Sequence, residues 1–163
     1  MFRMSATPAT TQLDRLGVTY RLHHYDVSIN DELTITYGEA VAKEIGVDAE
    51  RVFKTLVATV DGDLVAGIVP VTRKLNLKAL AKATGGKKAS MADPAQAERA
   101  TGYVVGGISP FGQKKRLRTV ADQTVTHFET VYVSAGRRGL QVSLSPTDLV
   151  RSLEATVADI AGP

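Results

Sequence analysis

The stretch F-K-T-L-V-A-T-V-D-G-D-L-V-A-G-I-V-P-V, residues 53–71, decides the fold. Two runs rich in β-branched residues flank Asp61 and Gly62, and Asp-Gly favours the tight turn whose twist matches that of paired strands. The stretch therefore predicts a β-hairpin. Around it, apolar residues at helical spacing predict helices over residues 7–16, 36–45 and 77–83. Hairpin strands mixed with several helices predict an α+β fold.

Capping residues and prolines place the remaining elements. Asn76 precedes the third helix, and Asp93-Pro94 and Ser145-Pro146 each set a capping side chain before a proline at the first helical position. Further strands are predicted at residues 18–25, 103–105, 130–134 and 140–144, with a loop over residues 26–34. The chain contains no linker, repeat or low-complexity tract, so we expect residues 1–163 to form a single domain.

The composition excludes several classes of protein and site. The chain has no cysteine, which excludes disulfides, thiolate zinc sites and cysteine nucleophiles. No apolar run approaches the roughly 20 residues that span a bilayer, and the N-terminus has no apolar signal core. We therefore expect a cytoplasmic protein. Because His23 and His24 are adjacent in a strand, they point to opposite faces, so we expect no metal and no cofactor.

The basic residues are concentrated in one part of the chain. Residues 73–118, the basic segment, contain eleven basic and two acidic residues, whereas the chain as a whole carries only +3. Lys74, Lys78 and Lys82 recur every fourth position, which places them along one side of a helix. A lysine stripe alone is typical of a solvated helix face. Together with the clusters at Lys87 and Lys114, the pattern favours a polyanionic partner, first of all a nucleic acid.

The stretch V-V-G-G-I-S-P-F-G-Q-K-K-R, residues 104–116, partly matches two known motifs, a phosphate-binding loop and an activated serine nucleophile. Gly107 and Gly112 have the spacing of a phosphate-binding loop, but Gln113 and Lys114 occupy the positions that require lysine and serine or threonine. That class of nucleotide site is excluded. Ser109 lacks the G-x-S-x-G context of an activated serine nucleophile.

Lys54 is unusual because it lies inside an otherwise apolar strand. Strand alternation puts it on one face with Val52 and Leu56, opposite Phe53 and Thr55. Such a lysine either extends its ammonium group to solvent at a sheet edge or is half-buried in a cleft, where it can bind a carbonyl or a phosphate. The spacing alone leaves both interpretations open.

Together these motifs resemble the YbaK family of aminoacyl-tRNA deacylases, which includes the Cys-tRNA(Pro) deacylases. The resemblance rests on V-F-K-T-L (52–56), M-A-D-P (91–94), T-G-Y-V-V-G-G-I-S-P-F-G-Q-K-K-R-L (101–117) and Y-V-S-A-G-R-R-G-L (132–140). It extends over nearly the whole chain. The editing domain of bacterial prolyl-tRNA synthetases shares the Gly-x-x-x-Pro pattern, which here runs from Gly106 to Pro110.

The resemblance implies an α+β domain with a mixed, barrel-like sheet and flanking helices. It also implies an enzyme that cleaves the ester of mischarged Cys-tRNA(Pro), by attack of the substrate's own thiol on its carbonyl. The implied catalytic residues are Lys54, Gly106 and Tyr25. The implied substrate-binding residues are Thr55, Gly107, Ile108, Ser109, Pro110 and Gln141. Gln141 departs from close relatives, which have an acid there, so a carboxylate contact to the substrate amine becomes a neutral hydrogen bond.

The expected partner is the acceptor end of tRNA(Pro), together with prolyl-tRNA synthetase. Seven cations of the basic segment are assigned to tRNA binding, Lys78, Lys82, Lys87, Lys88, Lys114, Lys115 and Arg116. Two alternatives remain open. One keeps the fold but assigns another mischarged substrate such as Ala-tRNA(Pro), and the other is a non-catalytic module that binds tRNA or a synthetase.

Overall fold

A computed structural model describes residues 6–26 and 37–163 of the chain. The helices are α1 (Pro8–Leu16), α2 (Tyr37–Ile45), α3 (Leu77–Ala83), α4 (Pro94–Thr101) and α5 (Pro146–Leu153), with 3-10 turns at Ala49–Arg51 and Gln123–His127. The strands are β1 (Arg21–His24), β2 (Phe53–Val60), β3 (Asp63–Pro70), β4 (Lys74–Leu75), β5 (Ala89–Met91), β6 (Arg118–Asp122), β7 (Val131–Arg137), β8 (Leu140–Leu144), β9 (Thr156–Ala158) and β10 (Ala161–Gly162).

The predicted hairpin is the centre of the main sheet. Strands β2 and β3 pair antiparallel from Phe53↔Pro70 to Val60↔Asp63. Asp61 and Gly62 both have positive φ, 49° and 90°, as the tight hairpin turn requires. The sheet has the order β5-β2-β3-β6-β9, and β6 and β9 join it in parallel. The hairpin prediction is confirmed.

A second sheet of order β1-β8-β7 lies beside the first, and β4 pairs with β10 in a third, two-stranded sheet. The first two sheets approach each other at the start of β2, where Val52 forms a parallel bridge with Tyr132 of β7. The α+β class is confirmed. Within the described residues none of these sheets closes into a barrel, so the barrel-like description implied by the resemblance goes further than the structure.

Most helix boundaries follow the predicted signals. Thr7 and Ser145 cap α1 and α5 through their hydroxyls, and Asn76 caps α3. Asp93 precedes α4 but its side chain makes no capping hydrogen bond, contrary to the prediction. Lys74 lies in β4 and not on α3, so the predicted helical lysine stripe is reduced to its other two members. Residues 27–34 of the predicted loop lie outside the described part of the chain.

Buried Asp122 ties the C-terminal segment to the main sheet. Its carboxylate accepts hydrogen bonds from the backbone N–H groups of Ile160 and Ala161 at 2.9 and 3.0 Å, and from the hydroxyl of Thr124 at 2.6 Å. Burial alone would raise the pKa of Asp122, but these hydrogen bonds to the charged form outweigh it and lower the pKa below its ordinary value.

We expect Asp122→Asn to make the folded state less stable at neutral pH and to flatten its loss of stability in acid. A lowered folded-state pKa contributes stability that is present above the unfolded value, near 4, and is lost as pH falls through the folded value. Urea unfolding at pH 7 and pH 3 measures both effects, with the exposed Asp159→Asn as control. Equal pH dependence in wild type and Asp122→Asn would contradict this role.

No helix in the described ranges is long and apolar enough to cross a membrane.

Candidate active site

A cavity of about 610 Å³ opens between α2, the first half of β2, the start of α4 and the second sheet. Its volume is within the range of sites that bind small molecules. Five of the residues assigned from the sequence line it, namely Lys54, Thr55, Gly106, Ile108 and Gln141. They come from three separate parts of the chain, so the fold brings them together.

Lys54 enters this cavity from the main sheet. The alternation predicted for β2 is confirmed, because Phe53 and Thr55 are buried on one face while Lys54 is half-buried on the other. Strand β5 pairs only with Ala58–Val60, so it does not extend alongside Lys54. Lys54 is therefore a half-buried cation in a cleft, which is the second of the two interpretations that the sequence left open.

The cavity changes the acidity of Lys54. Burial lowers the pKa of its ammonium group because the charged form is desolvated. The carboxylate of Glu39 acts in the opposite direction, and the nearby charge of Lys74 lowers the pKa further. An ammonium group with lowered pKa is a stronger hydrogen-bond donor and releases its proton more readily than a solvated lysine.

The segment Val104–Gly107, here called the glycine loop, forms one wall of the cavity. The predicted strand at residues 103–105 is wrong, because these residues form a turn in which the N–H of Gly107 donates to the carbonyl of Val104 at 2.9 Å. Glu98 of α4 accepts the N–H of Val105 at 2.8 Å, so that amide is used within the protein. Ser134 of β7 donates to the carbonyl of Gly107 at 3.1 Å.

Backbone N–H groups in a glycine-rich turn can stabilise an oxyanion only where the protein does not already use them. The N–H groups of Val105 and Gly107 are already bonded. Gly106 lines the cavity with a φ of 96°, a conformation that glycine adopts readily. Of the amides of the glycine loop, the N–H of Gly106 is therefore the candidate to donate a hydrogen bond to a substrate oxygen.

Three residues assigned to substrate binding do not line the cavity, Gly107, Ser109 and Pro110. Ser109 is fully buried, and its hydroxyl accepts the N–H of Phe111 at 3.2 Å while its carbonyl accepts from Gln113. These contacts hold the turn after the glycine loop. Ser109 and Pro110 therefore pack next to the glycine loop and do not line the cavity.

Two buried polar atoms at the cavity have no hydrogen-bond partner. Thr55 and Gln141 are only 7% and 6% exposed, yet Thr55 Oγ1 and Gln141 Oε1 are unpaired within the described residues. Gln141 is on β8, opposite Ser134 of β7. An unpaired buried polar group costs about 1–3 kcal/mol, so a ligand that supplies the missing partners recovers that energy.

Tyr25 reaches the cavity through a second tyrosine. Its hydroxyl lies 3.0 Å from the hydroxyl of Tyr37, which lines the cavity at the start of α2, whereas Tyr25 does not line it. Burial and the hydrogen bond to Tyr25 raise the pKa of Tyr37 above its ordinary value, so its hydroxyl keeps its proton.

With this geometry established, comparison with known proteins identifies the family. The family model described as "Aminoacyl-tRNA editing domain" matches residues 32–152. The chain belongs to the aminoacyl-tRNA editing domain family. EbsC of Enterococcus faecalis, named as a proposed Cys-tRNA(Pro)/Cys-tRNA(Cys) deacylase, is 35% identical over 94% of this chain and 92% of its own length.

Two further comparisons extend the likeness. ProXp-y of Escherichia coli K12, named a multifunctional Ser/Thr-tRNA deacylase, is 33% identical over 69% of this chain and 71% of its own length. A crystal structure described as a proposed trans-editing enzyme for prolyl-tRNA synthetase superposes with a TM-score of 0.86 at 20% identity, covering all of both chains. That structure shows the shared fold, and the names of the two relatives are consistent with an ester-hydrolysing enzyme.

The cations assigned to tRNA binding lie around this editing domain at different distances from the cavity. Lys78 and Lys82 are exposed on α3, and Lys87 and Lys88 are exposed just before β5, whose last residue, Met91, lines the cavity. Lys114 and Lys115 are exposed beside the C-terminal end of α4. Arg116 is less available, since it pairs with Glu154 at 2.6 Å.

Sequence reasoning missed four residues at or around the site, Tyr37, Glu98, Ser134 and Arg138. Glu98 had one signal, because it is one of only two acids in the basic segment. Ser134 and Arg138 lie in the stretch Y-V-S-A-G-R-R-G-L that carries the resemblance, whereas Tyr37 had no signal. Among the described residues no group of three or more histidine, aspartate or glutamate side chains is placed to hold a metal ion.

Proposed function

We propose that this editing domain cleaves the aminoacyl ester of mischarged Cys-tRNA(Pro) in trans. The observation that carries the proposal is the cavity itself. It joins a half-buried lysine of lowered pKa, a glycine amide and two unpartnered polar groups in one space of about 610 Å³, large enough for a small-molecule ligand. The name of EbsC supports cysteine as the amino acid.

The proposed reaction uses the substrate's own thiol. The cysteine sulfur attacks the ester carbonyl carbon, forming a C–S bond and a tetrahedral intermediate with a negative oxygen. The ester C–O bond then breaks, the thiol proton passes to the departing ribose oxygen, and the products are a cysteine thiolactone and free tRNA. The protein supplies no nucleophile, which suits a chain without cysteine whose Ser109 is buried in a turn.

The cavity residues have separate roles in this proposal. The Gly106 N–H donates to the developing oxyanion, an interaction whose loss typically lowers rates by about 10²–10³-fold. The Lys54 ammonium group donates a hydrogen bond to the ester or ribose oxygen and stabilises the negative charge that develops on the leaving group. Gln141 accepts a hydrogen bond from the substrate's α-ammonium group through its unpartnered Oε1. Tyr25 positions Tyr37 through their shared hydrogen bond.

Outside the cavity, the basic segment is proposed to bind the acceptor stem. Lys87 and Lys88 precede β5, and β5 leads to the cavity over about 10 Å at the usual rise per strand residue. Phosphate contacts of this kind release counterions, which makes the affinity for tRNA fall as salt rises. Prolyl-tRNA synthetase is the proposed partner that presents the mischarged tRNA.

A second substrate class is favoured by one observation. Gln141 is neutral, and the relative ProXp-y is named a Ser/Thr-tRNA deacylase, so selection of cysteine by a charged contact at this position is absent here. In that case the ester is cleaved by water and the side-chain thiol is dispensable.

One deacylation assay separates these possibilities. We expect Cys-tRNA(Pro) to be cleaved at least about 100-fold faster than Ser-tRNA(Pro) or Ala-tRNA(Pro), because a serine hydroxyl is a far weaker nucleophile than a thiol and alanine has neither. Trapping the product separates thiolactone from free cysteine. Comparable rates on all three substrates would support the water-dependent deacylase, and binding without any cleavage would support a non-catalytic module.

A further inference from the structure

Arg138, in the turn between β7 and β8, does not itself line the cavity but is exposed and contacts two residues that do, which places it at the mouth. Its guanidinium carbon is 4.4 Å from the centre of the Tyr37 ring, and Tyr37 lines the cavity. Gly106 also lies close to this side chain, since a Cβ atom there would come within 3.3 Å of Arg138 Nε. The exposed guanidinium is therefore close to both an aromatic ring and the glycine loop.

The backbone of the turn between β7 and β8 directs the side chain of Arg138 towards Tyr37. The register of β7 and β8 shifts between Ser134 and Arg137, which marks a bulge, and Gly136 and Gly139 both have positive φ, 110° and 93°. A bulge next to a site commonly re-aims a side chain. Here the result is that Arg138, and not the neighbouring Arg137, stacks on Tyr37.

Among the described residues no hydrogen bond or ion pair engages the N–H groups of Arg138, in contrast to those of two other arginines. Arg51 also stacks on a tyrosine, but its guanidinium donates to the carbonyl of Thr130 at 3.1 and 3.2 Å. Arg116 pairs with Glu154. In the described ranges no carboxylate pairs with Arg138, and stacking uses the face of the guanidinium while leaving its edge free. A planar, fixed fork of donors matches a phosphate.

We propose that Arg138 binds the phosphodiester group that precedes the ester-bearing nucleotide of the substrate. The inference rests on the proposed function, which places the aminoacyl ester inside the cavity. The phosphodiester is one nucleoside away from that ester, so it lies at the mouth, where Arg138 is fixed. Gly106 then has two roles, since a Cβ atom there would require the guanidinium to shift by a few tenths of an ångström.

This assignment also limits the role of Lys54. The sequence left open whether Lys54 binds a carbonyl or a phosphate, and a separate phosphate ligand at the mouth assigns Lys54 to the ester and ribose. The two cations differ in the way these tasks require, since Lys54 is half-buried with a lowered pKa and Arg138 is exposed.

The test compares three substrates that differ in phosphate content, namely Cys-tRNA(Pro), the cysteinyl ester of the dinucleotide CpA, and the cysteinyl ester of adenosine. We expect Arg138→Ala to lower kcat/KM by about 10–100-fold on the first two, mainly through KM, as for loss of a charge-assisted hydrogen bond. On the adenosine ester, which has no phosphate, the variant should match wild type. Arg138→Lys should be intermediate, and Arg137→Ala is the matched control.

Each other outcome has a defined meaning. Equal loss on all three substrates would overturn the inference, since it would show that Arg138 only supports the glycine loop. Wild-type rates on the dinucleotide ester would overturn it as well. Wild-type protein that cleaves none of the three would overturn the proposed function and the inference together, which distinguishes the two failures.

Discussion

Replacing Lys54 by methionine is expected to lower kcat/KM for Cys-tRNA(Pro) by about 10²–10³-fold while the protein remains folded. The change removes the half-buried ammonium group that is the proposed donor to the ester, and it keeps a side chain of similar length. Because burial already penalises the charge on Lys54, the apolar replacement should leave the free energy of unfolding unchanged or raise it. Loss of activity without loss of stability is the diagnostic combination.

The pH profile sharpens this test. Since the pKa of Lys54 is lowered, the protonated donor is lost at a lower pH than for a solvated lysine, and wild-type activity should decline as pH rises through that value. Lys54→Arg keeps the positive charge at all these pH values, so its residual activity should not show the decline. The exposed Lys43→Ala on α2 serves as control. Wild-type rates in Lys54→Met would remove Lys54 from the mechanism.

Gly112→Ala is expected to destabilise the protein by about 3 kcal/mol or more. Gly112 has a φ of 67°, where alanine costs about 1–2 kcal/mol, and the added Cβ would overlap the backbone of Pro8 at the start of α1. Forcing extra atoms into a packed contact adds a further 1–3 kcal/mol or so. The Gly112 N–H also donates to the side chain of Gln12, so α1 and this turn are held together at close range.

Thermal unfolding measures this effect, and Gly46→Ala isolates its steric part. Gly46 has a similar positive φ of 85° but nothing within 4 Å of the position a Cβ would take. Its alanine variant should therefore lose only the conformational contribution, and Gly112→Ala should melt lower by several degrees more. Equal melting temperatures for the two variants would show that the approach to Pro8 imposes no constraint.

Local signals account for the parts of the fold that were predicted from the sequence. The β2–β3 hairpin follows from Asp61-Gly62 between two β-branched runs, and the ends of α1 and α5 follow from Thr7, Gly17 and Ser145. These signals act between residues a few positions apart, so no distant part of the chain is needed to interpret them. The same holds for the alternation that set Lys54 apart from Phe53 and Thr55.

The errors arise where a distant residue overrides a local preference. Residues 103–105 have strand-forming side chains, but Glu98 accepts the N–H of Val105 and the hydroxyl of Tyr103 donates to Phe111 at 2.6 Å, so the segment turns. Lys74 has helical spacing to Lys78, yet β10 pairs with it as a strand. Such contacts depend on packing between elements and leave no periodic trace in the sequence.

By itself, the sequence determined the α+β class, the central hairpin, and Lys54 and Gly106 as candidate site residues. Turn residues, strand alternation and short motifs each involve residues that are close together in the chain, so they can be recognised without the tertiary structure. Only the tertiary structure decided which candidates share the cavity. In the structure Ser109 and Pro110 do not line the cavity, and Tyr25 is connected to it only through Tyr37. The structure also places Arg138 next to Gly106. The physical reason is that these contacts are made by strands and loops whose positions are set by packing across the whole domain.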